Sequence, residues 1–182
     1  MPLVLTWKLW ASIWSGGESR GWDGTGHDAI AQLYGSSIFP DSFGWTNAYF
    51  GGMPFPNFYP PVFYWCVALL QRTHLFSFST AFKLVLTLPV LLMPAGIWWL
   101  GWHLSNKSRL VATAASLASV VLLIDLRFMG SLLAGLDYFS TFQIGLYTQP
   151  LGFVLMIAWF VSYACPISFS LSHSPANKNA QG

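Results

Sequence analysis

Only six carboxylates stand in the 182 residues of this chain, so each is a candidate for chemistry. Two of them, Asp23 and Asp28, lie with His27 in the stretch W-D-G-T-G-H-D, from Trp22 to Asp28. Asp125 and Arg127 stand just beyond a charge-free run later in the chain. A carboxylate can take a proton from a hydroxyl or hold a divalent metal, and an arginine can pair with a phosphate. His27, His74, His103 and His173 are scattered and lack zinc-type spacing. Cys66 and Cys165 sit in apolar stretches and read as small buried hydrophobes rather than a disulfide framework.

The rest of the chain is poor in charge. Hydrophobic residues make up 54%, aromatic residues 18% and charged residues 8%. A soluble domain carries roughly 25% charged residues, and a water-facing surface cannot be built from so few. The net charge of +2 is too small to point to nucleic acid, and there is no basic run. Lipid admits only helices and closed barrels, because every backbone group must be satisfied internally. The apolar stretches here are continuous and do not alternate, so helices are expected. The composition predicts an all-α integral membrane protein with about four transmembrane helices.

Leu84 to Trp102 is charge-free and long enough to span, with Pro89 and Pro94 inside it and Trp98, Trp99 and Trp102 as an interfacial belt. Leu110 to Ile124 is a shorter charge-free run, in which Ala114 with Ala118 and Ala115 with Ser119 offer small residues for close helix packing. Ser105 to Ser108 is left as a tight hairpin turn between these two. Tyr147 to about Pro166 is the third span, opened by Pro150. The expected membrane helices are therefore 80–103, 109–125 and 147–170. Residues 1–15 read as the end of a first, incomplete span, and 172–182 as a polar disordered tail. Between them, 16–79 forms an outer loop with two short helices. The first, 26–39, carries Ile30, Leu33, Tyr34 and Ile38 on one face, with Thr25 and Asp28 at capping-box spacing. The second, 60–71, opens at Pro60-Pro61 and is too short to span, so it is expected along the interface, with Phe63, Tyr64 and Trp65 at the headgroup boundary.

Lys107 and Arg109 beside the tight turn favour a cytoplasmic Ser105–Ser108. That orientation puts the loops 16–80 and 125–146 outside. These loops hold all the carboxylates (Glu18, Asp23, Asp28, Asp41, Asp125 and Asp137) together with Arg20, Arg72 and Arg127, and Lys83, just past the first loop, is counted with them. Polar chemistry is thus expected on one membrane face.

The W-D-G-T-G-H-D stretch is followed by G-G-M-P-F-P-N-F-Y-P-P, from Gly51 to Pro61, and later by Y-T-Q-P-L-G-F-V-L, from Tyr147 to Leu155. An acidic residue after a first span, a short juxtamembrane helix, and then G-x-P and Y-P-P leading into an aromatic helix resemble the GT-C class of membrane glycosyltransferases. More narrowly, the pattern is similar to bacterial and archaeal membrane proteins called "6-pyruvoyl-tetrahydropterin synthase-related". The resemblance covers roughly Gly21 to Leu155. Proteins of that family are longer and have more spans, so this chain resembles an N-terminal portion carrying a partial GT-C-like bundle. Pterin chemistry is set aside, because it implies zinc on clustered histidines.

The resemblance implies sugar transfer from a polyprenyl-phosphate donor to an acceptor on the outer face. It implies Asp28 as the catalytic carboxylate, Asp23 as its helper, Arg127 as the donor-phosphate partner, and Asp28 with Asp125 as ligands of a divalent metal, Mg or Mn. Plainer readings stand beside these. Asp28 also fits a helix cap, Asp23 a turn residue, and Asp125 with Arg127 an interfacial charge pair. His27 reads as an exposed loop residue. The alternative function is a non-catalytic membrane protein of the same fold, with an assembly or lipid-binding role among other membrane subunits. A small transporter subunit fits less well, because Leu84–Trp102 and Leu110–Ile124 lack ionisable residues.

Overall fold

The computed structural model describes residues 11, 13–14, 23–48, 51–56, 59–124 and 147–164. The expected first span, apart from three helical positions at 11, 13 and 14, lies outside these residues. So do Asp125, Arg127, Cys165 and the tail.

The first helix, α1, runs Gly24–Ser37 and so begins earlier than its sequence pattern suggests. Its N-cap is Asp23, whose carbonyl accepts from His27 N–H at 2.9 Å and whose side chain makes no capping bond. Thr25 therefore lies within the first turn. The expected Thr25–Asp28 capping box does not form, because the box needs its threonine outside the helix, at the N-cap. The helix buries Gly24, His27, Ala31 and Tyr34, with Ile38 just beyond its end. Pro40 stops it, since the residue before a proline is steered away from helical backbone. The N–H groups of Ile38 and Phe39 both return to the Tyr34 carbonyl, at 3.0 and 2.9 Å.

A small antiparallel ribbon follows, β1 (Gly44–Thr46) with β2 (Met53–Phe55). The all-α expectation missed it. Strands of three residues are too short to show a period in sequence. Trp45 faces Pro54 on the exposed side, while Thr46 and Phe55 point inward. Gly52 has φ +104, and a Cβ there would lie 2.5 Å from Nε1 of Trp45, so the turn needs glycine twice over.

The second helix, α2, runs Pro61–Arg72 with proline in its first turn, where a missing N–H costs nothing. Phe63, Tyr64, Val67 and Ala68 face the core. Only Trp65 of the expected boundary trio is exposed; Phe63 and Tyr64 are buried at 1% and 0%. Thr73 and His74 end the helix by returning their N–H groups to Leu70 and Gln71, and His74 takes the left-handed φ of 59°.

The third helix, α3, runs Phe78–Leu104, 27 residues, which at 1.5 Å each is about 40 Å. Ser77 caps it by accepting from Thr80 N–H at 3.3 Å. It starts two residues before the expected bound of 80, and Lys83, counted with the outer charges, is a helical residue near its N-terminal end and is buried at 6%. Pro89 and Pro94 lie inside it. Ser105–Ser108 makes the expected tight turn, with Asn106 and Lys107 at positive φ, into α4 (Arg109–Ile124).

The contact between α3 and α4 is close and made by small residues. A Cβ on Gly101 would come within 3.3 Å of the Ala112 backbone. Ser116 Oγ donates to the Pro94 carbonyl at 2.9 Å, and Trp98 Nε1 to Thr113 Oγ1 at 3.2 Å. Of the two small-residue stripes expected, Ala115 and Ser119 turn inward while Ala114 and Ala118 are exposed. The last helix, α5 (Thr148–Trp159), continues as a π-helical turn, Phe160–Ala164, and packs on α3 with Ile157 against Gly96.

Helices dominate the described residues. One of them, α3, is long and apolar enough to cross a bilayer; α4 and α5 contain shorter apolar stretches. Only 33% of the most apolar window of α3 is buried, unlike the core helix of a soluble domain.

Candidate functional site

The site is built where α1 and α2 lean on the start of α3 and on the first residues of α5. Its centre is His27. This ring is 3% exposed, and its Nδ1 shares a 2.7 Å hydrogen bond with Tyr64 Oη. Tyr59 meets it edge-on at 5.0 Å between centroids, and Tyr147 packs at 5.0 Å on a tilt. Phe82 extends the cluster from α3, touching Tyr147 at 5.7 Å and Phe63 at 5.3 Å. The sequence reading of His27 as an exposed loop residue is corrected by this burial. Helical spacing carried the signal: His27, Ala31, Tyr34 and Ile38 continue one face.

Burial pushes the Tyr64 hydroxyl well above the usual phenol range, and the neighbouring Tyr59 adds to the rise. The phenol therefore keeps its proton. His27 accepts from it when Nδ1 carries no proton, and donates to its oxygen when Nδ1 is protonated. Tyr34 closes the other end of the face by donating to the Asp41 carbonyl at 2.6 Å. Its pKa is raised by burial and then by the Asp41 charge.

Asp28 is half-buried on α1, directly after His27, and Asp23 is exposed at the helix start. The two carboxylates are thus held at one end of one helix. Asp125 and Arg127, assigned to the metal and the donor phosphate, lie outside the described residues. Among the described residues, no group of three or more His, Cys, Asp or Glu side chains is placed to hold a metal. Asp28 and Asp23 are the carboxylates that this end of the fold offers to a cation.

Below Asp28, between α1 and α2, opens a groove of about 840 Å³. Gln32 and Ser36 line it from α1, Gln71, Arg72 and His74 from α2 and its end, and Phe78 from the start of α3. Gln32 is four residues after Asp28, so both belong to one helical face. The Arg72 guanidinium lies over the Phe39 ring, 4.6 Å from its centroid, and donates to the Phe39 carbonyl at 3.5 Å. Arg72 was counted among the outer-loop charges in the sequence but not singled out. The burial of Lys83 was hidden by its position just outside the charge-free run.

Comparison with protein-family models, curated proteins and solved structures finds no match to this chain.

Proposed function

We propose that this chain is part of a polytopic helical membrane protein, and that it is the N-terminal part of a GT-C-like glycosyltransferase. The membrane reading is supported by the large apolar side chains that the helices leave exposed. These include Leu88, Leu91 and Leu92 on α3, Leu110, Leu117 and Val121 on α4, and Leu155, Met156 and Trp159 on α5. Soluble monomers rarely expose so continuous an apolar surface. The carboxylate-bearing α1 and the short α2 then lie on one face of the bilayer, with the Ser105–Ser108 turn on the other.

The single observation that carries the enzymatic reading is the placement of Asp28. It sits on a short helix beside the start of α3, fixed by a buried neighbour, His27, and half open to solvent. In sugar transfer from a polyprenyl-phosphate donor, Asp28 would take the proton of the acceptor hydroxyl or hold a divalent metal, assisted by Asp23. Asp125 is the further metal ligand in this reading, and Arg127 the partner of the donor phosphate. A bound metal would polarise the donor phosphate; the protein's own part is to orient the Asp28 carboxylate through the His27–Tyr64 anchor.

The test is transfer of a labelled sugar from a polyprenyl-phosphate donor in membranes carrying the complete reading frame. Asp28→Asn should abolish transfer with the protein still inserted, because the amide keeps the side chain's shape and one acceptor oxygen. Asp41→Asn should be tolerated, since Asp41 is exposed and Tyr34 uses its backbone carbonyl. Full activity in Asp28→Asn would remove the catalytic assignment. It would favour the second reading, a non-catalytic membrane protein with a lipid-binding or assembly role, for which the groove between α1 and α2 speaks.

A further inference from the structure

The groove between α1 and α2 has mixed walls, with Gln32, Gln71 and Arg72 set among Ala29, Leu33 and Ala68, and beside it on α2 runs an apolar stripe. Val62, Trp65 and Leu69 are exposed along α2 at spacings of three and four residues, and Arg72 is the next position on that line. Leu75, just past the helix end, is 78% exposed. Trp65 is held in place: its ring packs 5.6 Å from that of Phe39, and its Nε1 donates to the Pro40 carbonyl at 3.2 Å. The same Phe39 ring carries the Arg72 guanidinium on its face, so the cation and the apolar stripe are fixed relative to each other by one side chain. The bond from the guanidinium to the Phe39 carbonyl uses one of its five N–H groups.

A purely water-soluble ligand has no use for the stripe, and a purely apolar one has none for Gln32, Gln71 and Arg72. An amphiphile with an anionic head and acyl chains uses both. The site also stands at the right depth. Only a short link separates Arg72 from Phe78, where the apolar α3 begins, so the groove lies where that helix enters the bilayer. Arginine suits this position because it pairs with phosphate through two parallel N–H groups.

We propose that this groove binds the phosphate headgroup of an anionic phospholipid from the surrounding bilayer. Arg72 pairs with the phosphate, Gln32 and Gln71 hydrogen-bond the head, and the Val62–Trp65–Leu69 stripe lies against the chains. The inference rests on the membrane reading given above but not on the enzymatic one.

The experiment uses the full chain purified in a neutral detergent and titrated with phosphatidylglycerol, phosphatidylcholine, a polyprenyl phosphate and inorganic phosphate. Binding is read by native mass spectrometry. Phosphatidylglycerol should bind saturably and better than phosphatidylcholine. Arg72→Gln should weaken it about tenfold, the scale of one lost charge-assisted hydrogen bond. Arg72→Lys, which keeps the charge without the planar fork, should fall between. Arg109→Gln, at the start of α4, should bind as the unaltered chain does. Equal binding of both phospholipids, or an unchanged Arg72→Gln, would overturn the proposal. So would preference for the polyprenyl phosphate alone, which would make the groove a donor site, or for inorganic phosphate alone. Carbonate extraction of cell membranes separates the two levels of the argument. A chain that washes out contradicts the membrane reading and the groove together. A chain that stays but ignores phosphatidylglycerol contradicts the groove alone.

Discussion

The α1–α2 pair and the α3–α4 hairpin are both built from two neighbouring helices, yet they are held by different means. Between α1 and α2 the contact is deep and rich in rings. Tyr34, Tyr64, Phe63 and Ala31 are at most 1% exposed, and His27 at 3% completes the layer with a buried hydrogen bond. Between α3 and α4 the contact is a close backbone approach with few rings, made by Gly101, Ala112 and Ala115, with Ser116 and Thr113 bonded across. Leu110, Leu117 and Val121 of α4 point away, at 81%, 61% and 70% exposed. Water drives large apolar groups inward, whereas lipid does not distinguish them from its own tails and leaves close backbone approach and hydrogen bonds to join helices. On the membrane reading proposed above, the pair beside α3 is packed as for water and the hairpin as for lipid.

That contrast can be broken at either side. The larger effect is expected at Tyr64→Phe, which takes the phenol oxygen away from the buried His27 nitrogen. The loss should be about 1–3 kcal/mol, read as a lower midpoint in a thermal or denaturant melt of the detergent-solubilised chain. The same variant sharpens a pH argument. The fold raises the Tyr64 pKa above its ordinary 10.0, so the folded chain keeps a proton there that the unfolded chain gives up. This contribution to stability is complete below pH 10.0 and declines as pH rises beyond it. Tyr64→Phe should show a shallower alkaline decline; an identical slope would mean that Tyr64 is not held as described.

A smaller effect is expected at Gly101→Ala. The added methyl meets the Ala112 backbone at 3.3 Å, and a helix axis yields less readily than a side-chain tip. A cost of about 1 kcal/mol follows from such overpacking. Ala114→Leu, on the exposed side of α4, should cost nothing measurable. If Ala114→Leu were the more damaging, the lipid-facing surface would be on the wrong side of α4.

Much of this architecture was legible in the chain. Leu84–Trp102 and Leu110–Ile124 have no charge, and a run without charge announces an apolar helix. The boundaries were less legible. Lys83 reads as the edge of a span, and only the Ser77 cap, a local bond, shows that the helix begins earlier. In α4 the sequence offers small residues on two faces, and the partner helix decides which is used: Ala115 and Ser119 rather than Ala114 and Ala118. Asp28 and Asp23 could be singled out by type, but their setting could not. His27 was misread because a single histidine gives no period of its own; its burial follows from Ala31 and Tyr34 on the same face. The groove at Arg72 joins residues from α1 and α2 that lie far apart in sequence, so no local pattern contains it.

The central claim is that α3 crosses a bilayer, with α1 and α2 on one side of it and the Ser105–Ser108 turn on the other. Cysteine labelling in intact cells tests this most directly. The background lacks Cys66 and Cys165, so that neither native thiol contributes. Cysteine at Ser42, exposed in the turn after α1, should react with a membrane-impermeant thiol reagent. Cysteine at Ser105 should react only after the membrane is permeabilised. Equal labelling of both sites in intact cells would contradict a spanning α3. Labelling of Ser105 with protection of Ser42 would keep the span but put the Asp28 face inside the cell.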